Sequence, residues 1–390
     1  MATYISSKAN RFYVALESEY GQTPAIGAVN RIPALKLSAQ QQIDAAERKD
    51  KTGSRTFAGN PPGLRKRTTF ELRTYLTGWD KASPAPGYGP LFQGALGAAP
   101  RASAGGTAVS VTPAGQLQFG GPHGLIAGQA VNSAGEIRFV AAIVDDTTVQ
   151  LNAPFVTAPA GGASLGATVT YVPATEMPSV SIFDYWMPAT AVQRLLNGSV
   201  VDRMDILVNG DYHEVHFSGP AKDVLDSASF TAGQAALDGF PAEPELGAFD
   251  YSIVPGNLGQ AWIGTEASRF CTITKASVVV KNGVDTRSQE FGACAPRSFA
   301  PGQRTVTAAF DLFSRDDQAT QALYQAARQH SPISVMFQLG ESQGQLMGVY
   351  LKSVIPEVPE FDDGSTRLQW SFRASRAQGT ADDEISVAFG

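Results

Sequence analysis

RKDKTGSRTFAGNPPGLRKRTTFELRTYL, residues 48–76, begins as a basic, glycine-rich loop and ends as a strand. Phe70, Leu72 and Leu76 fall on one side of an extended backbone, and Glu71, Arg73 and Tyr75 on the other. Period-two alternation of this kind belongs to a sheet with one buried and one wet face. The plan returns in SQEFGACAPRSFAPGQRTVTAAFDLF, residues 288–313, where Val306, Ala308, Phe310 and Leu312 oppose Thr305, Thr307 and Asp311. Both stretches run from a Ser through an aromatic residue and a Gly/Pro-rich loop ending in Arg into a strand. Hairpins follow in corresponding places. RMDILVNGDYHEVHFSGPAKDV (203–224) turns at Asn209-Gly210, a strong hairpin signal, and VIPEVPEFDDGSTRLQWSFRAS (354–375) turns at Asp363-Gly364. Its second strand sets Leu368, Trp370 and Phe372 against Arg367, Gln369, Ser371 and Arg373. The spacing predicts an internal duplication of a β module.

The first copy is interrupted. Residues 99–174 read as a small all-β domain, with short runs at Val109–Val111, Gln116–Phe119, Ile137–Val144, Thr148–Leu151 and Thr168–Val172 separated by turn residues. Ala, Gly and Pro runs flank it, as linkers do. The expected organisation is a discontinuous first module over 1–98 and 175–245, the inserted domain over 99–174, and a second module over 246–390. One helix is expected in SRDDQATQALYQAARQH, with Ser314 and Asp317 at its start, Ala322, Leu323, Ala326 and Ala327 on its stripe, and Pro332 beyond its end. A shorter helix is expected over 190–198, capped at Asn197-Gly198.

The 390 residues carry a net charge of −6, and only 17 % are charged, against 39 Gly and 24 Pro. Many short strands and turns suit that composition, and an acidic balance argues against general nucleic-acid binding. No apolar run reaches the length of a membrane helix, and the first twenty residues lack the pattern of a secretion signal. Cys271 and Cys294 make no disulfide framework and are expected to be buried thiols.

Catalytic and ligand motifs are few. Gly340-Glu341-Ser342-Gln343-Gly344 fits the nucleophile-elbow pattern, but strand-like sequence on both sides predicts a hairpin turn. His213 and His216 would chelate together on a helix; on a strand they face opposite ways. His123 and His330 stand alone, and the acidic pairs at Asp145, Asp316, Asp362 and Asp382 lie at turns, a helix start or the tail. No metal, cofactor or catalytic site is expected. The basic stretch has no phosphate-loop spacing, no helix behind it and no aromatic residues interleaved with its charges. An arm that grips an acidic surface on a copy of the same chain fits it better, and PEVPEFDDG (356–364) offers such a surface.

Together, SKANRFYVALESEYGQTP, IPA, KTGSRTFAG, the duplicated strand–loop–strand plan and IPEVPEFDDGSTRLQWSFRAS resemble the major tail tube protein of long-tailed, non-contractile bacteriophages, over residues 1–98 and 175–390. The segment 99–174 resembles the outward decoration domains that some of these proteins carry. The resemblance implies two packed sheets with a flanking helix per module, six modules closing into a barrel-like ring, and rings stacking through long loops. Two modules per chain then imply trimers with pseudo-six-fold symmetry. It implies, as partners, further copies of the chain, a tape-measure protein during assembly, and tail terminator and tail-tip proteins at the ends. Double-stranded DNA would pass through the lumen without specific binding, in a virion tail assembled in the host cytoplasm. An outward domain favours a tail without a sheath. On this reading Lys51, Arg55, Arg65, Lys66, Arg67, Arg297 and Arg304 contact the next ring or subunit. Two other classes compete with it: a surface- or carbohydrate-binding β module displayed on a virion, and a hydrolase using Ser342.

Overall fold

The computed structural model describes residues 4–43, 50–51, 53–57, 59, 65–79, 83–208, 211–247, 249 and 252–390. They form a mainly β protein. Strands β1 (Asn10–Leu16), β2 (Arg31–Ile32), β3 (Ala34–Ile43) and β4 (Lys66–Tyr75) lead to helix α1 (Gly89–Leu96). The interrupting segment holds β5 (Arg101–Ser103), β6 (Gly106–Val111), β7 (Gln116–Phe119), β8 (Ala130–Ser133), β9 (Glu136–Ile143), β10 (Thr148–Leu151), β11 (Ser164–Leu165) and β12 (Thr168–Tyr171). The chain continues through β13 (Val180–Trp186), β14 (Arg194–Ser199), β15 (Arg203–Val208), β16 (Glu214–Ala221) and β17 (Asp223–Asp226). Then come β18 (Gly259–Gly264), β19 (Ser268–Arg269), β20 (Ile273–Lys281), β21 (Thr305–Phe313), helix α2 (Gln318–Gln329), β22 (Ile333–Leu339), β23 (Met347–Ile355), β24 (Glu360–Asp362), β25 (Gln369–Ala377) and β26 (Ser386–Phe389).

Pairing organises these into three sheets. The largest runs β19-β18-β22-β23-β25-β21-β20-β15-β16-β4-β3, with β24, β26, β12 and β5 attached at its sides. A second runs β17-β14-β13-β1-β2, and the third, β11-β6-β7-β10-β9-β8, belongs to the interrupting segment. Alternation supplies the reason for the main sheet. Thr68, Phe70, Leu72 and Thr74 of β4 and Val306, Ala308, Phe310 and Leu312 of β21 are buried, while their neighbours face out. The inward set joins a single core in which Phe310 stacks on Phe372 at 4.8 Å and Phe92 meets Phe217 edge-on at 5.3 Å.

The order of elements repeats. β1, β3, β4, α1, β13, β14, β15 and β16 are answered in chain order by β18, β20, β21, α2, β22, β23, β24 and β25. The pairings repeat as well: β1 with β13 matches β18 with β22, and the ladder β3-β4-β16-β15 matches β20-β21-β25-β24. Leu72 faces Phe217 as Phe310 faces Phe372, which equates Leu72 with Phe310. On that registration each copy has a bulge in the same place, between Ala34 and Lys36 in one and between Ile273 and Lys275 in the other. A β-bulge re-aims a strand at a defined position, so its coincidence fixes the equivalence of the two hairpins to the residue.

α1 was not expected. GPLFQGAL is short and has two glycines, but Pro90 lies in its first turn and Gly97, at φ 105°, ends it with its N–H bonded to Gln93 O at 2.7 Å. Pro at the start and Gly past the end is the sequence signal that could have found it. Burial of Leu91, Phe92, Ala95 and Leu96 supplies its stability. α2 has Asp317 as its N-cap, accepting from Thr320 N at 2.8 Å. Its buried stripe is Thr320, Leu323, Ala326 and Ala327, and Ala322 is exposed.

The helix expected over 190–198 is instead irregular backbone leading into β14. Leu195 and Leu196 are both fully buried because β14 lies between β13 and β17 with both faces covered, a setting in which an apolar doublet says nothing about period. Gly198 takes φ 57°, and a Cβ there would lie 2.6 Å from Lys222 Cβ. Cys271 and Cys294 are exposed, against expectation, because both lie outside strands in connecting segments. Leu368 precedes β25 and is exposed. Asn209-Gly210 lies outside the described residues; β15 and β16 pair antiparallel across it.

Residues 106–165 have their own apolar cluster, including Leu117, Phe119, Val140 and Leu151. β12, at the end of the interrupting segment, instead pairs with β5 and with the C-terminal β26, so the start and end of the segment are stitched into the body. A further cluster joins Ala130, Ile137 and Phe139 to Trp262, Met336, Leu346 and Tyr350. At its centre Arg138 is fully buried, bonded to Glu136 at 2.5 Å, Gln260 at 2.9 Å and Gln338 at 3.1 Å.

Candidate assembly interface

The eight strands β3-β4-β16-β15-β20-β21-β25-β24 form a continuous antiparallel wall, and the register fixes what lies at each end of it. Ile43 is opposite Lys66, Arg203 opposite Lys281, and Lys281 opposite Thr305. The connection between β3 and β4 and that between β20 and β21 therefore leave from the same end. They also touch: Lys66 N donates to Cys294 O at 2.8 Å and Arg65 Nη2 to Gln289 O at 3.3 Å. At the opposite end are the β15–β16 and β24–β25 turns.

The sequence-derived contact residues divide into two groups. Lys51, Arg55, Arg65, Arg67 and Arg297 are exposed at the loop end. Lys66 and Arg304 are less exposed and form ion pairs with carboxylates of the same chain. Lys66 Nζ lies 3.3 Å from Asp223, and Arg304 reaches Asp382 at 3.0 Å, Glu384 at 2.9 Å and the Ala174 carbonyl. Arg304 thus clamps a loop base to the C-terminal tail and to the end of the interrupting segment. Arg48 and Lys49 lie outside the described residues. Exposed acids Asp211, Glu360, Asp362 and Asp363 lie at the other end of the wall, where the β24–β25 turn also carries exposed Arg367.

The outer face of the wall carries both signs in close pairs. Arg73 meets Glu71 at 2.6 Å, Arg203 meets Asp205 at 2.7 Å, His216 meets Glu214 at 2.8 Å and Arg373 meets Glu360 at 3.1 Å. Residues two apart on a strand share a face, so three of the four pairs follow from sequence spacing. The hydrogen bond from Arg73 holds the Glu71 carboxyl below its ordinary range.

Residues considered for chemistry are placed separately. Ser342 lies in the turn between β22 and β23, as the flanking strands required. His213 is buried beside a cleft of about 350 Å³, its Nε2 3.2 Å from Leu258 O, and burial holds its pKa below the usual value. His216 sits in β16 on the wet face, apart from it. Among the described residues no three His, Cys, Asp or Glu side chains could hold a metal together, and no helix is long and apolar enough to cross a membrane.

No family model matches the chain, and no curated protein matches it. Among solved structures, the chain is similar to the tail tube of SPP1, determined by solid-state NMR and cryo EM, at 14 % identity and a TM-score of 0.27, over 34 % of this chain and 79 % of that one.

Proposed function

We propose that this chain is a structural virion protein that closes with copies of itself into rings and stacks them into the tube of a bacteriophage tail. One observation carries the reading: two equivalent four-stranded ladders lie edge to edge in one wall, with both long loops at one end and the β15–β16 and β24–β25 turns at the other. A repeated unit that already pairs with its own equivalent contains the operation that closes a ring. Three chains then give six equivalent modules, and closure removes the exposed sheet edges. The modules are 1–98 with 175–245 and 246–390, and 99–174 faces outward. Opposite charge at the two ends suits head-to-tail stacking, with Lys51, Arg55, Arg65, Arg67 and Arg297 meeting the acids of the next ring.

The wet face of the wall lines the lumen in this reading. Three of its arginines, Arg73, Arg203 and Arg373, are already partnered by carboxylates, which weakens the hold of this face on double-stranded DNA. The tape-measure protein during assembly and terminator and tip proteins at the tube ends complete the proposed partners, and assembly takes place in the host cytoplasm. The chain performs no catalytic step.

Electron microscopy of the purified chain, with its mass measured by light scattering, tests the proposal. Rings or tubes of uniform bore with three chains per ring are expected. Six chains per ring would refute the trimer, and a monomer that never polymerises at high concentration would refute the tube in favour of a displayed binding module.

A further inference from the structure

The two outer edges of the eight-stranded wall are β3 and β24, and neither has another strand partner beyond β4 and β25 among the described residues. The repeat says what each edge is equivalent to. Leu37 of β3 stands where Ala276 stands in β20, because each is opposite the equated residues Leu72 and Phe310. β24 stands where β15 stands. Phe361 is opposite Trp370 as Ile206 is opposite Val215, and five residues separate Val208 from Glu214 as five separate Asp363 from Gln369. Inside the chain, β15 and β20 pair with each other: Val208 with Ala276, Leu207 with Ser277, Ile206 with Val278 and Asp205 with Val279.

We infer that this internal junction is the template for the junction between chains: Glu360–Asp363 of one copy pairs antiparallel with Leu37–Gln40 of a second copy. Phe361 then lies opposite Ala39, Asp362 opposite Ser38 and Glu360 opposite Gln40. The inference rests on the ring reading above and adds to it the partner segment and the register.

Side-chain volume and exposure agree with that register. Ile206 and Val278 are fully buried at the internal junction, 0 % and 1 % exposed. Their equivalents are Phe361, which is 56 % exposed while stacked on Trp370 at 5.3 Å, and Ala39, which is half-buried against the same core. A large residue facing a small one replaces two of medium size, so the space at the junction is conserved. On the wet face Asp362 would sit diagonally from Lys36, within reach of an ion pair across strands. Pro356 and Pro359 precede β24 and Pro33 precedes β3, which limits either edge to a short ladder and discourages pairing in other registers.

Cysteine pairs read the register directly. In a Cys271→Ser, Cys294→Ser background, Ser38→Cys with Asp362→Cys should give covalent dimers and trimers on oxidation of the assembled protein, and nothing larger. Opposed Cα atoms in an antiparallel pair are about 4.5–5.5 Å apart, inside disulfide range. Ser38→Cys with Glu360→Cys, two residues out of register, should not link. Mixing the two single variants, Ser38→Cys and Asp362→Cys, should give dimers only. Hydrogen exchange on the unaltered chain supplies a second readout, since amides of 37–40 and 360–363 should slow at least about tenfold on assembly. Tubes that form while the 38–362 pair stays unlinked, or while these amides keep exchanging, would overturn the register and leave the tube reading intact. A chain that stays monomeric would overturn both.

Discussion

Replacing Arg138 with Ala should loosen the attachment of the interrupting segment to the body. The side chain is fully buried and bonded to five acceptors: Glu136, the Ile137 and Pro154 carbonyls, and the amide oxygens of Gln260 and Gln338. Its guanidinium also lies 5.0 Å from the Trp262 ring and 5.4 Å from that of Phe155. Burial draws its pKa down to about 10 in spite of Glu136, a sign of how much hydration it has lost. Removing one partner of a buried ion pair costs about 3–5 kcal/mol, since the other charge is left in place. Glu136 would keep two backbone donors, Val156 N at 2.9 Å and Thr157 N at 2.8 Å, which points to the lower end, about 3 kcal/mol. With an unfolding entropy of about 2.1 cal/mol/K per residue, a chain of 390 residues loses about 4 °C in Tm. Calorimetry gives the shift, and hydrogen exchange should show it first at 136–140 and 336–339. Glu136→Leu with Arg138→Met removes both charges and should recover most of the loss. A single variant within about 0.5 kcal/mol of the parent, or a double variant as unstable as the single, would refute this account of the attachment.

Two further outcomes follow from the charges. His213 is buried with its Nδ1 unpartnered, and burial lowers its pKa more than the bond to Leu258 O raises it. The unfolded chain therefore takes up the proton first, so stability is full above about pH 6.5 and falls below it, by at most about 1.4 kcal/mol per pH unit; in His213→Gln, melting curves between pH 7.5 and 5.5 should spread less than in the parent. On the wet face, Glu71→Gln, Asp205→Asn, Glu214→Gln and Glu360→Gln together leave Arg73, Arg203 and Arg373 without their carboxylates. Assembled tubes of that variant should retain more short duplex DNA in low salt than parental tubes do and release it as salt rises; equal retention by the two would argue against the wet face lining the lumen.

What could be read in the sequence was what one face of a strand decides locally. β4 and β21 alternate cleanly because one side is wet, and α2 announces itself through Asp317 and a polar outer face. β14 mimics a short helix in sequence because burial on both faces erases the period, and α1 shows only its Pro and Gly end signals because its stability comes from the core around Phe92. The basic residues were visible as a cluster, but no local pattern separates Arg304, drawn to Asp382 and Glu384, from Arg297, which stays at the surface. Arg138 and Gln338 are two hundred residues apart, and the matched bulges at Lys36 and Lys275 exist only as registers.

The place of the interrupting segment gives the duplication a physical consequence. In the chain it separates α1 from β13, where the second copy has only three residues between α2 and β22. In space Tyr171 packs on Phe92 of α1, but Ala130, Ile137, Phe139 and the buried arginine fall on β18, β22 and β23, which belong to the other copy. Its end is held by β26, which pairs with β23 as β17 pairs with β14 in the first copy. A single module could carry the insertion point or the docking surface, but this segment uses one from each. In the proposed ring, covalent fusion keeps the two modules together at the internal junction, where β15 meets β20 within one chain, and the segment braces that same pair from outside. Only the β24–β3 junctions are then left to form and break during assembly, so a substitution at Phe361 or Ala39 should shift polymerisation, and one at Ile206 or Val278 should lower the stability of the single chain.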